Sequence, residues 1–471
     1  MGVTYTKFND LLEERLRYNQ SIYERASVFY PNPKQKEVYD CECKRIIVKG
    51  GRKSGKTATE VYRIITQKDR IGEISVVYTL TNQAVRDIWI KEFEKQRPPG
   101  MEIIYHRGLI KLPNGGEVWL KHGQNFDSAT LARGVSVATH FVFDEHAWNA
   151  PDLWTVVAPN TLPKKASVVF VSSPWIGHFY DLYKQAKDIE NSEIELPEDK
   201  KTWRVFDRSS FDGTPNGTTD EEWAAGIYAL KPTMPQLEWE VEIEGRFPEE
   251  SGDVFKDVNE AYKDNGSLGE KPASDITVAV GLDVARKNDK TAMVAIDKNC
   301  NVWVLMNGHT AFSEWEGVAK TVRENLNDIS LSGKIWLDNT GIGDGVRGEL
   351  ARQGIEVLPV IFNAVEEGQA HNNKTIMVTN LQIAFENHKL KIAPGPLGEE
   401  LRRQLLAYTY KLNETTHNIS FSKPSGYDDD LVDALLLAYT CALRQLNKPQ
   451  YRPLNIEPPT AIGTGIFGKG R

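Results

Sequence analysis

Residues 50–57 read Gly-Gly-Arg-Lys-Ser-Gly-Lys-Thr, a G-x-x-x-x-G-K-T pattern. A short apolar run, Ile46-Ile47-Val48, precedes them, and 58–67 has the composition of a helix. Strand, glycine loop, helix is the order this pattern needs to cradle phosphates. Loop amides and the helix N-terminus face the anion, and glycine lets the backbone approach it. Lys56 can reach the β- and γ-phosphates, and the Thr57 hydroxyl can ligate Mg²⁺. Gly50, Gly51, Arg52, Lys53, Ser54, Gly55, Lys56 and Thr57 are therefore the expected set for ATP with Mg²⁺. The bland alternative is a glycine-rich turn before a helix.

A second chemical pair stands in His140-Phe141-Val142-Phe143-Asp144-Glu145, where an apolar run ends in two carboxylates. Ligands of open α/β sheets bind at strand carboxyl ends. There Asp144 would hold the Mg²⁺ and Glu145 would activate the attacking water. Arg133, in Leu131-Ala132-Arg133-Gly134, is a candidate arginine finger, with Arg52 as the other candidate; a DNA-phosphate contact or a surface ion pair explains Arg133 equally. Ser172-Ser173, after the apolar run 168–171, could sense the γ-phosphate or simply form a hydroxyl turn. Gln35, in Tyr30-Pro31-Asn32-Pro33-Lys34-Gln35, offers an amide to an adenine edge or stands in an exposed turn.

The second half carries a different set. Asp283 lies in the strand-like Ile276–Val284, Asp338 ends the strand-like 334–337, and Asp428-Asp429-Asp430 opens an apolar helix that also carries Asp433. Asp433 shares a helical face with Asp429 or Asp430. Carboxylates gathered this way repel unless cations neutralise them, and two Mg²⁺ or Mn²⁺ ions are a standard device for phosphodiester cleavage. The alternative is helix capping by 428–430 and two ordinary strand-end acids.

The elements that must position these groups follow from the patterning. Residues 4–28 have apolar positions at helical spacing. Strand-like runs at 46–48, 74–80, 140–143 and 168–171 alternate with helical ones such as 84–96, and 101–120 reads as hairpin strands about Pro113-Asn114-Gly115-Gly116. This predicts an α/β fold with a mainly parallel sheet. Around 250 the character changes. Short turns between 276–284, 291–296 and 301–305 predict an antiparallel meander, followed by helix, strand and buried helix, the order of an RNase H-like mixed-sheet nuclease. The expected domains are 1–250, a linker at 251–273, 274–447, and a flexible tail at 448–471.

The 471 residues are 40% apolar and 26% charged, with a net charge of −8, as in an ordinary soluble globular protein. That net charge neither favours nor excludes nucleic acid, because a local basic groove suffices. Cys41, Cys43, Cys300 and Cys441 form no metal-binding spacing and fit a reducing compartment. No secretory signal or membrane-spanning run is expected.

Taken together and in this order, the Pro-Lys-Gln segment ending at Gln35, GGRKSGKT at 50–57, LARG at 131–134, VFDE at 142–145, SSP at 172–174, Asp283, Asp338 and DDLVDA at 429–434 resemble the large terminase subunit of tailed double-stranded DNA bacteriophages. The resemblance spans roughly 28–445. It implies a P-loop ATPase motor that drives double-stranded DNA through a portal into a procapsid. It also implies a metal-dependent endonuclease that cuts concatemeric DNA at initiation and termination. By position it implies Gln35 on adenine, Lys56 in catalysis, Arg133 acting across a ring of identical subunits, and Ser172-Ser173 coupling hydrolysis to movement. Asp283, Asp338 and the 429, 430 and 433 acids would hold the nuclease metals. Implied partners are the portal, the procapsid and a small terminase subunit. The isolated chain could be a monomer, and the implied location is the host cytoplasm, transiently on the procapsid. Rival readings are a helicase or repair ATPase fused to a nuclease, and a nucleotide-switched assembly module without nuclease activity.

Overall fold

A computed structural model describes residues 29, 31–66, 72–122, 134–197, 200–263, 268–272, 277–284, 290–309, 315–340, 345–366, 369, 371–413 and 419–446. The expected N-terminal helix, Arg133 and the expected tail lie outside these residues. The described residues fall into two compact units: one from 29 to 229 with 237–248, the other 230–236 with 249–446.

The first unit is built on an eight-stranded sheet. Its strands are β1 (Arg45–Gly50), β2 (Ile74–Thr79), β3 (Glu102–Ile104), β4 (Leu109–Lys111), β5 (Glu117–His122), β6 (His140–Asp144), β7 (Ser167–Ser172) and β8 (Trp203–Arg208), in the order β3-β4-β5-β2-β6-β7-β1-β8. Only the β3–β4 and β4–β5 pairs are antiparallel. The central strands are buried on both faces, as their unbroken Ile, Val and Phe runs require. The apolar 203–206 stretch was not expected as a strand, yet β8 pairs in parallel with β1 and completes that edge. Helix α1 (Pro33–Tyr39) starts in a capping box, in which Asn32 and Gln35 exchange side-chain-to-backbone hydrogen bonds. Helix α2 (Lys56–Thr66) follows the glycine loop and buries Val61, Ile64 and Ile65 against the sheet. The expected helix at 84–96 runs from Asn82 to Lys95 with a π-helical segment at Val85–Ile90. Helix α3 (His178–Ser192) packs beside β8.

In the second unit the expected meander is present. β10 (Thr277–Asp283), β11 (Thr291–Asp297) and β12 (Asn301–Gly308) are antiparallel, and β13 (Leu331–Asp338) and β14 (Val357–Val360) extend the sheet in parallel beside β10. With β15 (Lys391–Ile392) beyond β12, the sheet is six-stranded, mixed and RNase H-like. Helix α5 (Trp315–Asn327) covers one face with Val318, Ala319 and Val322.

The expected linker at 251–273 is corrected. Its β9 (Ser251–Asp253) pairs with β16 (Thr409–Leu412), which in turn pairs with β17 (Ile419–Ser422). Its helix α4 (Val258–Lys263) packs on α7 (Pro396–Ala407). The polarity that suggested a linker belongs to an edge strand and a short helix whose buried positions are few, chiefly Val258 and Ala261. Helix α6 (Asn373–Glu386) packs against α8 (Asp430–Gln445), which closes the unit across β10 and β11. The described residues include no helix long and apolar enough to cross a membrane.

Two candidate sites at strand carboxyl ends

In the first unit, β6, β7 and β1 are consecutive neighbours, and their register aligns Asp144 with Val171 and Lys49 with Ser172. Parallel pairing thus delivers the Asp144-Glu145 pair, Ser172-Ser173 and the Gly50–Thr57 loop to one edge of the sheet. The loop fits tightly there. A Cβ on Gly51 would lie 2.5 Å from the Ile243 carbonyl oxygen, and one on Gly50 would lie 2.8 Å from that of Arg208. Gly55 has φ +83°, and a Cβ on it would lie 1.9 Å from Gln35 Nε2. Gln35 is therefore buried against the loop rather than set in an exposed turn. Its Oε1 already accepts the Asn32 N–H at 3.0 Å, so only the amide nitrogen end faces Gly55.

Lys56 donates to the carbonyls of Gly50 and Gly51 at 2.8 and 2.9 Å. Burial lowers its pKa, and the charges of Glu145, Glu242 and Asp144 oppose that shift. Five charged groups therefore meet around the loop, Lys56, Arg52, Asp144, Glu145 and Glu242, and the last of them carried no sequence signal. Glu242 is buried and binds the Arg52 guanidinium, while the Arg52 N–H donates to the Glu242 carbonyl at 2.6 Å. Arg52 is thus anchored within its own unit. Thr57 is half-buried at the first turn of α2, and Lys53 is exposed with φ +60°. The Ser54 hydroxyl donates to the Gly51 carbonyl at 2.8 Å.

Asp144 is buried and accepts the Trp89 indole N–H at 2.6 Å. Burial and then the adjoining Glu145 charge push its pKa up. The Asn149 amide fixes the Asp144 carbonyl at 3.0 Å. Glu145 sits in the left-handed region, φ +47° and ψ +50°, a conformation that costs a non-glycine residue of order 1 kcal/mol and concentrates at functional sites. The turn aims its carboxylate at β7, where the Ser173 N–H donates to it at 3.2 Å. The Ser172 hydroxyl accepts the Ala147 N–H at 3.1 Å. The Ser172-Ser173 pair therefore grips the segment that carries Glu145.

In the second unit the acids converge because a helix crosses a strand at a glycine. A Cβ on Gly281 would lie 1.9 Å from the Ala434 carbonyl oxygen. That close approach sets Asp433, one residue before Ala434, beside Asp283, two residues after Gly281. Parallel pairing of Leu282 with Leu337 sets Asp338 beside Asp283. Burial raises the Asp283 pKa well above the carboxylate range, followed by the charges of Asp433, Asp338, Asp430 and Asp429. Burial likewise raises Asp338, against a hydrogen bond from the Thr340 N–H at 2.8 Å, and raises Asp433 to about 7. Asp428 points elsewhere, to Lys290 at 2.6 Å. Asp429 is held by Lys423 at 2.7 Å and Asp433 by Lys374 at 3.0 Å. Lys374 and Lys423 carried no sequence signal, because nothing local marks a lysine as facing an acid on a distant helix.

The donor chemistry fits hard divalent cations, which take oxygen ligands. Burial raises Asp283, Asp338 and Asp433 alike, and neighbouring acid charges add to it at Asp283 and Asp433, so this corner of the fold carries more negative charge than its own cations offset. Among the described residues, three acid, histidine or cysteine side chains with ligand atoms all within 4.8 Å of one another occur only at Asp257, Glu260 and His388, all exposed; no three of the acids around Asp283 come that close together.

No family model matches the sequence, and none of the curated proteins matches it. Solved structures similar to this chain include large terminases. The large terminase of one thermophilic bacteriophage is 13% identical over 89% of this chain and 100% of that one, with a TM-score of 0.48. The ATPase domain of the Thermus phage P74-26 large terminase covers 46% of this chain and 94% of its own at 18% identity, TM-score 0.37. The large terminase nuclease of thermophilic phage G20c covers 40% and 97% at 18% identity, TM-score 0.31.

Proposed function

We propose that this chain is a DNA-packaging ATPase and nuclease of the large terminase type. The observation that carries the reading is the meeting of the glycine loop, Asp144-Glu145 and Ser172-Ser173 on three adjacent strand ends, in a chain whose second unit gathers Asp283, Asp338 and Asp433. The order of motifs in the sequence points the same way.

In the first unit, ATP phosphates lie along the loop amides and Lys56 exchanges its loop carbonyls for phosphate oxygens. Thr57 and Asp144 would hold Mg²⁺, which neutralises developing phosphate charge. Glu145, aimed by its left-handed backbone and by the Ser173 N–H, orients the attacking water and takes its proton. Loss of the γ-phosphate reaches Ser172-Ser173 through the Glu145 carboxylate. A finger arginine, Arg133 by the motif resemblance, completes the site from a neighbouring subunit of a ring. In the second unit, Asp283, Asp338 and Asp433, with Asp429 or Asp430, would hold Mg²⁺ or Mn²⁺, two ions in the full site. Those ions would polarise the phosphodiester and supply hydroxide. The proposed partners are double-stranded DNA, gripped through its phosphates and hence salt-sensitively, the portal and procapsid, and a small terminase subunit, all in the host cytoplasm.

The test is plasmid cleavage with and without Mn²⁺ or Mg²⁺, comparing the chain with Asp283→Asn, alongside phosphate release by Lys56→Ala. Metal-dependent cutting lost in the first variant and hydrolysis lost in the second are expected. Hydrolysis undiminished by Lys56→Ala, or cutting undiminished by Asp283→Asn, would sink the corresponding half.

A further inference from the structure

Three lysines tile the acids at the start of α8: Lys290 on Asp428, Lys423 on Asp429 and Lys374 on Asp433. The third differs from the other two. The Lys374 and Asp433 side chains are only 22% and 13% exposed, against 31% and 39% for Lys290 and Asp428. The Lys374 ammonium also lies 5.1 Å from the Phe362 ring centre and 5.9 Å from that of Tyr408. Two aromatic faces and a carboxylate make a seat for a cation. Lys374 takes Oδ2 of Asp433, while Oδ1 is buried and accepts no hydrogen bond.

We propose that Lys374 is a positioning residue of the nuclease site, a resident counter-cation that holds Asp433 by Oδ2, leaves Oδ1 as the metal-ligating atom, and weakens divalent-ion capture by the same carboxylate. This rests on the metal-dependent reading of the second unit. The physical argument is one of charge. Asp338 is buried and Asp283 and Asp433 are half-buried beside it, and a fold that gathers them before any ion arrives needs positive charge in place. The ammonium supplies it. A unit positive charge close to a divalent ion then opposes that ion; for charges about 6 Å apart its removal is worth about tenfold in affinity even at the dielectric of water, and more in a partly buried site. Lys374 therefore trades metal affinity for stability of the metal-free site.

Two measurements on the full chain test this. Mn²⁺ binding is titrated calorimetrically, and melting is followed in EDTA and in Mn²⁺, for the wild type, Lys374→Gln and Lys374→Arg. Lys374→Gln is expected to bind Mn²⁺ tighter by about tenfold or more, to melt lower in EDTA, and to recover in Mn²⁺. Lys374→Arg should bind as the wild type does. Equal Mn²⁺ constants and equal EDTA midpoints for wild type and Lys374→Gln would overturn the inference and leave the metal-dependent reading standing. Absence of Mn²⁺ binding to every variant would overturn both. Should Lys374→Gln not fold, the wild type decides: amine acetylation read by mass spectrometry should modify Lys374 faster in Mn²⁺ than in EDTA, because the ion loosens the Asp433 pair. Equal rates would overturn the inference.

Discussion

The Asp144-Glu145 pair of the first unit is held by neutral donors. An indole N–H fixes Asp144, the Asn149 amide fixes its carbonyl, and a backbone N–H fixes Glu145. Asp429 and Asp433 of the second unit are held by ammonium groups from distant elements: Lys423 follows β17, and Lys374 opens α6. Neutral donors orient a carboxylate without cancelling its charge, so Asp144 and Glu145 remain available to a cation and a water at a fixed place. Ammonium groups cancel charge, which allows a denser set of acids to coexist in a folded metal-free chain. The first plan suits one nucleotide bound repeatedly; the second suits acids that wait for ions.

The contrast can be broken at several points. The largest expected effect is at Glu145. Glu145→Gln should lower ATP hydrolysis by about 10²–10⁴-fold with nucleotide binding retained, read as phosphate release beside equilibrium binding of an ATP analogue. If binding is lost in parallel, Glu145 is structural. Asp283→Asn should lower metal-dependent cleavage by at least about 10²-fold while ATP hydrolysis stays within about twofold. A matching fall in hydrolysis would mean that the two sites are not separate.

Gly281→Ala comes next. Its methyl would meet the Ala434 carbonyl, so α8 must shift, at about 1–3 kcal/mol of stability. Thermal melting should show the loss, with cleavage reduced because Asp433 moves from Asp283. An unchanged melting point would deny that the glycine sets the crossing. Trp89→Phe removes the donor that lowers the Asp144 pKa. The acid limb of the hydrolysis–pH profile should then move to higher pH, by about one unit or less; a shift to lower pH would contradict the assignment.

The smallest effect is at Glu386, whose pKa burial raises to about 7 against the Gln236 N–H. The folded state then binds more protons than the unfolded chain between about pH 4.5 and 7. Stability should fall as pH rises through that window, and Glu386→Gln should flatten the slope. Melting midpoints at pH 5 and pH 8 compare the two.

Much of this was legible because it is local. Gly50 to Thr57 carries its own phosphate chemistry within one loop, and the apolar run into Asp144-Glu145 announces a buried strand ending in acids. The β10–β12 meander was legible because short turns leave only antiparallel pairing. Other features depended on partners far along the chain. β8 looked unremarkable until β1 offered it an edge, and 251–273 read as a linker because an edge strand buries little.

The sequence by itself determined which residue types are present for phosphate and metal chemistry, and in what order, since composition and spacing are properties of the chain. Only the tertiary structure decided which acids meet. Of Asp428, Asp429 and Asp430, the first turns to Lys290, and Asp433 becomes the chief charge acting on Asp283. It also gave Arg52 to Glu242, Trp89 to Asp144 and Lys374 to Asp433. Each of these joins residues tens to hundreds of positions apart in the chain, beyond the few residues that local patterns can read.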